Sequence, residues 1–172
     1  MSRSEPIAST IPTVDELAQE LLLIQQSGPR KVAIIGTRNL PLTHQQLVEM
    51  LSYALVLSGN QVVTSGGANG CNMAVIRGAQ RANPDRLNII LPQTISQQPG
   101  EVQDLLIGIK NIVEYPERRT MTLADASRIC NHEIIDRCQQ IICFLYHTSH
   151  TLLESVNYAK EHRKIVTSFY LD

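Results

Sequence analysis

The chain of 172 residues has few aromatic residues and no excess of charge. It contains no tryptophan, two phenylalanines and five tyrosines, which leaves little material for a platform on which nucleic-acid bases could stack. Its 15 lysines and arginines nearly balance its 16 aspartates and glutamates. Bulk charge therefore gives no reason to expect nonspecific binding to nucleic acid or membranes, and any nucleotide contact must use backbone amides and arginine.

Long apolar runs and regular cysteine motifs are also missing. No stretch approaches the roughly 18 apolar residues of a membrane span, and the N-terminal sequence MSRSEPIAST lacks the apolar core of a signal peptide. Cys130, His132 and Cys138 fall in one predicted helix, without the CxxC or HxxxH spacing of a zinc site. The irregularly spaced cysteines are typical of reduced thiols. We therefore expect a cytoplasmic protein with no membrane contact, no metal and no cofactor.

The chain does contain apolar runs that alternate with helical patterns. The runs show no polar alternation, which is typical of strands buried on both faces of a parallel sheet. Strands are predicted at 32–35, 61–64, 87–91, 112–114, 141–145 and 165–169. Helical patterns are predicted at 14–27, 43–57, 71–82, 102–109, 120–137 and 151–162. This order predicts one doubly wound α/β domain over 13–172, mainly parallel and with helices on both faces, after a flexible arm at 1–12.

The sequence also predicts how two helices begin, how the segment 92–100 behaves and which face of the second helix is apolar. Thr13 with Glu16, and Thr43 with Gln46, have the spacing of capping boxes. The polar segment 92–100 is expected to be a mobile loop. The apolar residues of the second helix are expected to share one face: Leu47, Met50, Leu51, Ala54 and Leu55.

Three loops leave the carboxyl ends of predicted strands, where open α/β sheets bind ligands. The most informative is the glycine-rich turn that contains Ser65, Gly66, Gly67, Asn69 and Gly70. Its bare amides and the following helix N-terminus favour a phosphate or carboxylate. The spacing is neither GxGxxG nor a Walker motif, and tight packing of the helix on the sheet is the alternative explanation.

Basic residues lie in two of the predicted loops. Arg38 closes the turn Gly36-Thr37-Arg38 after the first strand, so it is expected at the same sheet edge, where a guanidinium can fork onto an anion. Arg118 lies in the loop YPERR. For both arginines the alternative is a solvated surface residue.

The last predicted helix begins with residues of two possible roles. Thr151 is a natural cap, and the carboxylate of Glu154 could reach back over the sheet edge. An acidic residue in the first helical turn is also favoured by the helix dipole alone, and a cap role alone would explain Thr151. Cys71, at another helix N-terminus, is expected to have a lowered pKa.

At these loops the chain resembles the Rossmann-like domain of the DNA-processing (DprA/Smf) family, over about residues 31–170. The segments that carry the resemblance are KVAIIGTRNLPLT, VVTSGGANGCNMAVIRGAQRAN, NHEIIDRCQQIICFL and SHTLLESVNYAKEHRKIV. The resemblance implies a Rossmann-like fold. It also implies that Arg38, Gly66, Gly67 and Gly70 line a pocket for the backbone of single-stranded DNA. The chain departs from the family pattern at Asn72, where aspartate is usual.

A second resemblance is to the lonely-guy (LOG) phosphoribohydrolases of the same superfamily, which hydrolyse the N-glycosidic bond of nucleoside monophosphates. It implies that Arg118 holds phosphate and that Glu154 is the catalytic acid. However, HTSHT lacks the glycines of that class.

The sequence is therefore compatible with three functions. The first is non-catalytic binding of a nucleotide or single-stranded DNA, the second is this hydrolase, and the third is a structural or partner-binding module with a vestigial pocket. Self-assembly into a homo-oligomer is compatible with each of them.

Overall fold

The computed structural model of the protein describes residues 13–19, 30–67 and 70–172. Within these residues, six strands form a parallel sheet in the order β4-β3-β2-β1-β5-β6. The strands are β1 (Lys31–Gly36), β2 (Gln61–Thr64), β3 (Leu87–Ile90), β4 (Ile112–Val113), β5 (Gln140–Leu145) and β6 (Ile165–Tyr170). The predicted parallel α/β architecture is confirmed.

Helices cover both faces of this sheet. They are α1 (Leu42–Leu57), α2 (Cys71–Ala82), α3 (Gly100–Leu106), α4 (Leu123–Asp136) and α5 (His150–Glu161), with short 3-10 turns at Pro84–Arg86, Ile95–Gln97 and Pro116–Arg118. Val32 and Ile34 of β1 pack into the apolar cluster under α1, α2 and α3. The alternate residues Ala33 and Ile35 pack into the cluster under α4 and α5. None of the described helices is long and apolar enough to cross a membrane.

The strand order reverses between β1 and β5. Strands β1 to β4 follow one another across one half of the sheet, and the chain then returns to place β5 beside β1. The loops after β1 and β5 therefore lead to opposite faces. In open α/β sheets this divergence creates the crevice in which ligands bind.

The helix starts confirm one predicted capping box and correct the other. The Glu16 amide donates to Thr13 Oγ1 at 3.2 Å, and the Thr13 amide donates to Glu16 Oε2 at 2.8 Å. Residues 14–19 are helical, and the rest of the helix predicted at 14–27 lies outside the described residues. The box at Thr43 is wrong, because α1 already begins at Leu42 after Pro41 and has no side-chain cap.

The inward face of α1 also differs from the prediction. Leu51 and Leu55 pack against the core as predicted, whereas Leu47, Met50 and Ala54 are exposed. The fully buried residues of the helix are Val48, Ser52 and Val56. The Ser52 hydroxyl donates to the carbonyl of Val75 on α2 at 2.7 Å, which satisfies the buried polar group. Apolar residues occur around most of α1, so their spacing did not determine which side faces the core.

The prediction of a mobile loop at 92–100 is wrong. This segment contains the 3-10 turn Ile95–Gln97 and the buried polar residue Gln93. Gln93 Nε2 donates to the carbonyls of Arg118 at 3.0 Å and Met121 at 2.9 Å. Gln93 therefore anchors the segment to the loop that precedes α4.

Candidate functional site

A cavity of about 610 Å³ lies at the carboxyl edge of the sheet, beside the switch between β1 and β5. It is lined by residues 35–39 at and beyond the end of β1, by 65–67 after β2 and 97–99 after β3, and by the beginnings of α4 and α5. Thus five segments that are distant in sequence meet in one crevice.

The turn after β1 is held by backbone hydrogen bonds on two sides. The Thr37 amide donates to the carbonyl of Phe144 in β5 at 2.9 Å, and the Thr37 carbonyl accepts from the Cys71 amide at 3.1 Å. This turn therefore joins β1, β5 and the start of α2. It leaves the side chain of Arg38 exposed, with no ion pair to any residue that the structure describes.

The glycine-rich turn lies directly against this arginine. Arg38 Nε is 3.8 Å from the position that a Cβ on Gly67 would occupy. Gly70 has φ of +109°, and a Cβ there would collide with the backbone carbonyls of Thr37 and Arg38. Only glycine allows the two turns to approach so closely. The predicted site residue Asn69 lies outside the described residues.

Two side chains missing from the sequence prediction contact this turn. Asn72 Nδ2 donates to the Gly66 carbonyl at 2.9 Å. Gln98 Oε1 accepts from the Gly67 amide at 2.8 Å. Gln98 follows β3, and the carboxyl end of that strand lies at the same sheet edge. The end of β3 is therefore a fourth strand end at this edge, and its position in the sequence is the signal that points to Gln98.

The electrostatics of the cavity favour an anion. The described residues that line the cavity include one arginine, Arg38, and no lysine, aspartate or glutamate. The start of α5, including the predicted Thr151, lines the cavity, and α2 begins just after the glycine turn. The partial positive charge of two helix N-termini adds to the guanidinium.

Ser65 lies at the cavity wall, and its hydroxyl faces α4. It is buried, and its Oγ is 3.5 Å from Cys130 Sγ of α4. The adjacent Thr64 hydroxyl donates to the Ile34 carbonyl at 2.8 Å. These contacts fix the end of β2, so the glycine turn begins from a rigid strand.

Arg118 and Glu154 do not line this cavity. Arg118 Nη2 pairs with Glu133, and its guanidinium lies over the Tyr115 ring at 3.8 Å. Glu154 Oε1 pairs with Arg128 Nε at 3.2 Å. Residues three apart on a helix lie close to one face, but the Glu154 carboxylate turns towards Arg128 and His132 of α4 and lines a separate depression of about 440 Å³.

The expectation of a lowered Cys71 pKa is wrong. Burial raises the pKa of this thiol, and the neighbouring Cys143 raises it further. Burial also raises the pKa of Cys130 to about 11 and those of Cys138 and Cys143 to about 12. Desolvation of the thiolate therefore outweighs the helix dipole at Cys71.

The cysteines and histidines of the described segments form no cluster of three or more potential metal ligands with aspartate or glutamate. Cys138 lies beyond the end of α4, so it is not in one helix with Cys130 and His132.

We expect the four cysteines to react slowly with thiol reagents in the native protein. All four are buried and free, and raised pKa values leave little thiolate at about pH 8. Labelling with iodoacetamide should be at least tenfold slower in buffer than in guanidinium chloride, followed by mass spectrometry. Rapid native labelling mapped to Cys71 would contradict the buried position of that thiol.

The fold and the cavity define a Rossmann-like α/β protein with an anion-compatible crevice at its strand-order switch. The family model for DNA recombination-mediator protein A matches residues 22–144 of the chain. The match covers more than half of the chain, and the chain belongs to this family. The resemblance to DNA-processing proteins is thereby confirmed.

Two solved DNA processing protein A structures resemble this chain. The Helicobacter pylori protein, whose structure is described with a single-stranded DNA binding mode, matches with a TM-score of 0.69 and 23% identity over 83% of this chain. The Streptococcus pneumoniae protein matches with a TM-score of 0.63 and 19% identity over 83% of this chain. The matches span 66% and 50% of those chains. Such low identities support the fold alone. No curated protein matches the chain significantly.

Proposed function

We propose that this chain binds the phosphate backbone of single-stranded DNA at the cavity beside Arg38, without catalysing a reaction. The observation that carries the proposal is the position of Arg38 against Gly67, at a cavity with no lining carboxylate among the described residues. Membership of the recombination-mediator family supports DNA as the source of the phosphate.

The chemistry of the two turns suits a phosphate. A guanidinium can donate two parallel hydrogen bonds to phosphate oxygens, and glycine amides can approach them without a Cβ in the way. A hydrogen bond to a charged group contributes about 1.5–3 kcal/mol. One such site gives modest affinity, so tight binding of DNA requires several phosphates along the strand.

The absence of catalysis is part of the proposal. Hydrolysis of an N-glycosidic bond needs an acid or base within reach of the sugar. In the described part of the chain, no aspartate or glutamate lines the cavity. Arg118 and Glu154 each have another charged partner in this structure, which supports a structural role for both.

We expect a salt titration to identify the ligand. Fluorescence anisotropy with a labelled single-stranded oligonucleotide should show affinity that falls steeply with salt, because each neutralised phosphate contributes a slope of about −0.7. Thymidine monophosphate should bind weakly, with a shallow slope. If the oligonucleotide and thymidine monophosphate bind with equal affinity and equal salt dependence, the site recognises a mononucleotide and the DNA strand adds nothing.

Two further outcomes would overturn the proposal. If neither ligand binds, the pocket is vestigial. If nucleoside monophosphates release their base at a rate that depends on both Arg118 and Glu154, the protein is a hydrolase.

A further inference from the structure

We propose that Gln98 is a displaceable internal ligand of the glycine turn, which occupies the Gly67 amide until a phosphate oxygen replaces it. The inference rests on the proposed phosphate site and adds a residue that sets its affinity and selectivity. It begins from one contact, the hydrogen bond of 2.8 Å from the Gly67 amide to Gln98 Oε1.

The geometry places Gln98 where a ligand oxygen would lie. Arg38 Nε lies 3.8 Å from the position that a Cβ on Gly67 would occupy. The Gly67 amide donates to Gln98 Oε1. A Cβ on Gly66 would collide with the same Gln98 oxygen. The carboxamide therefore lies directly over the glycine turn, at the wall of the cavity.

Only the side chain of Gln98 has to move for this exchange. The backbone amide of Gln98 donates to the Ile95 carbonyl at 3.0 Å, and the backbone carbonyl of Gln98 accepts from Gln103 Nε2 at 2.7 Å. Gln103 Nε2 also donates to the Ser96 carbonyl at 3.3 Å. These bonds fix the backbone of the segment, so rotation about side-chain dihedrals releases the Gly67 amide without opening the loop.

The exchange favours anions over neutral ligands. A carboxamide oxygen is a neutral acceptor, and a phosphate oxygen makes a shorter and stronger charge-assisted hydrogen bond with the same amide. A neutral ligand would only replace one neutral acceptor with another. Gln98 thus satisfies the partly buried Gly67 amide until a charged ligand replaces it.

Substitutions at Gln98 distinguish this role from simple support of the turn. Gln98→Ala removes the competing oxygen, so the affinity for a single-stranded oligonucleotide should rise about threefold to tenfold. Gln98→Glu places a carboxylate on the amide and repels phosphate, so the affinity should fall at least tenfold. Gln46→Glu makes the same charge change on the exposed face of α1, away from the cavity, and should change the affinity less than twofold.

The contact itself is measured by hydrogen exchange at the Gly67 amide. This amide should be protected in the wild type, should exchange at least tenfold faster in Gln98→Ala, and should regain protection when the oligonucleotide is added. Both variants are assayed as the full chain, with circular dichroism to confirm folding.

The outcomes separate the inference from the proposed function. If the wild type binds the oligonucleotide and Gln98→Ala binds equally or more weakly, Gln98 only supports the turn and the inference is wrong. An effect of Gln98→Glu no larger than that of Gln46→Glu would also overturn it. If the wild type binds no oligonucleotide, the proposed function fails and the inference fails with it.

Discussion

Arg38→Ala is expected to weaken binding of single-stranded DNA about tenfold to a hundredfold. The estimate follows from the loss of charge-assisted hydrogen bonds worth about 1.5–3 kcal/mol, at 1.4 kcal/mol for each tenfold. Because Arg38 is exposed and has no charged partner in the described chain, its removal should not affect folding. Arg38→Lys should recover part of the affinity, since an ammonium cannot fork onto two oxygens.

The measurement is a salt series of oligonucleotide affinities for the wild type and the variants. The slope for Arg38→Ala should be smaller by about 0.7, the contribution of one phosphate on a single strand. Arg77 is a matched control, because it is exposed on α2 and does not line the cavity. A loss in Arg77→Ala as large as that in Arg38→Ala would mean that only the net charge matters.

The sequence predicted the central elements almost to the residue. The strand at 61–64 and the helix at 71–82 have the bounds that the structure shows. Strands buried on both faces are mostly apolar, and glycine, asparagine and serine mark their ends, so the signal is local and strong. The face of α1 was harder, because a helix that is apolar on most sides has no clear periodicity.

The sequence predicted only those residues of the candidate site that directly follow a strand. Arg38 and the glycine turn each follow a strand directly, so the sheet edge brings them together. Gln98 reaches the same turn through the pairing of β2 with β3, and its role depends on one side-chain hydrogen bond. The pKa of Cys71 was mispredicted for a related reason. The helix dipole is visible in the sequence, whereas burial depends on the tertiary structure.

Gly70→Ala is expected to lower the free energy of unfolding by about 3 kcal/mol, the sum of two costs. A φ of +109° strains any residue with a Cβ, and the added Cβ would collide with the Thr37 and Arg38 carbonyls. Backbone atoms cannot yield as a flexible side chain can. The turn that presents Arg38 would have to shift, so DNA affinity should fall together with stability.

Two other glycines separate these two costs. Gly108 has φ of +84° with nothing within 4 Å of its hypothetical Cβ, so Gly108→Ala should cost only the backbone strain, about 1–2 kcal/mol. Gly100, the first residue of α3, has neither the strain nor a contact, so Gly100→Ala should be neutral or stabilise by up to about 1 kcal/mol. Urea denaturation of the three variants should therefore rank them Gly100→Ala, Gly108→Ala and Gly70→Ala in order of increasing loss. Equal losses at Gly70 and Gly108 would show that the close approach of the two turns adds nothing, and that the contact between them does not hold Arg38 in place.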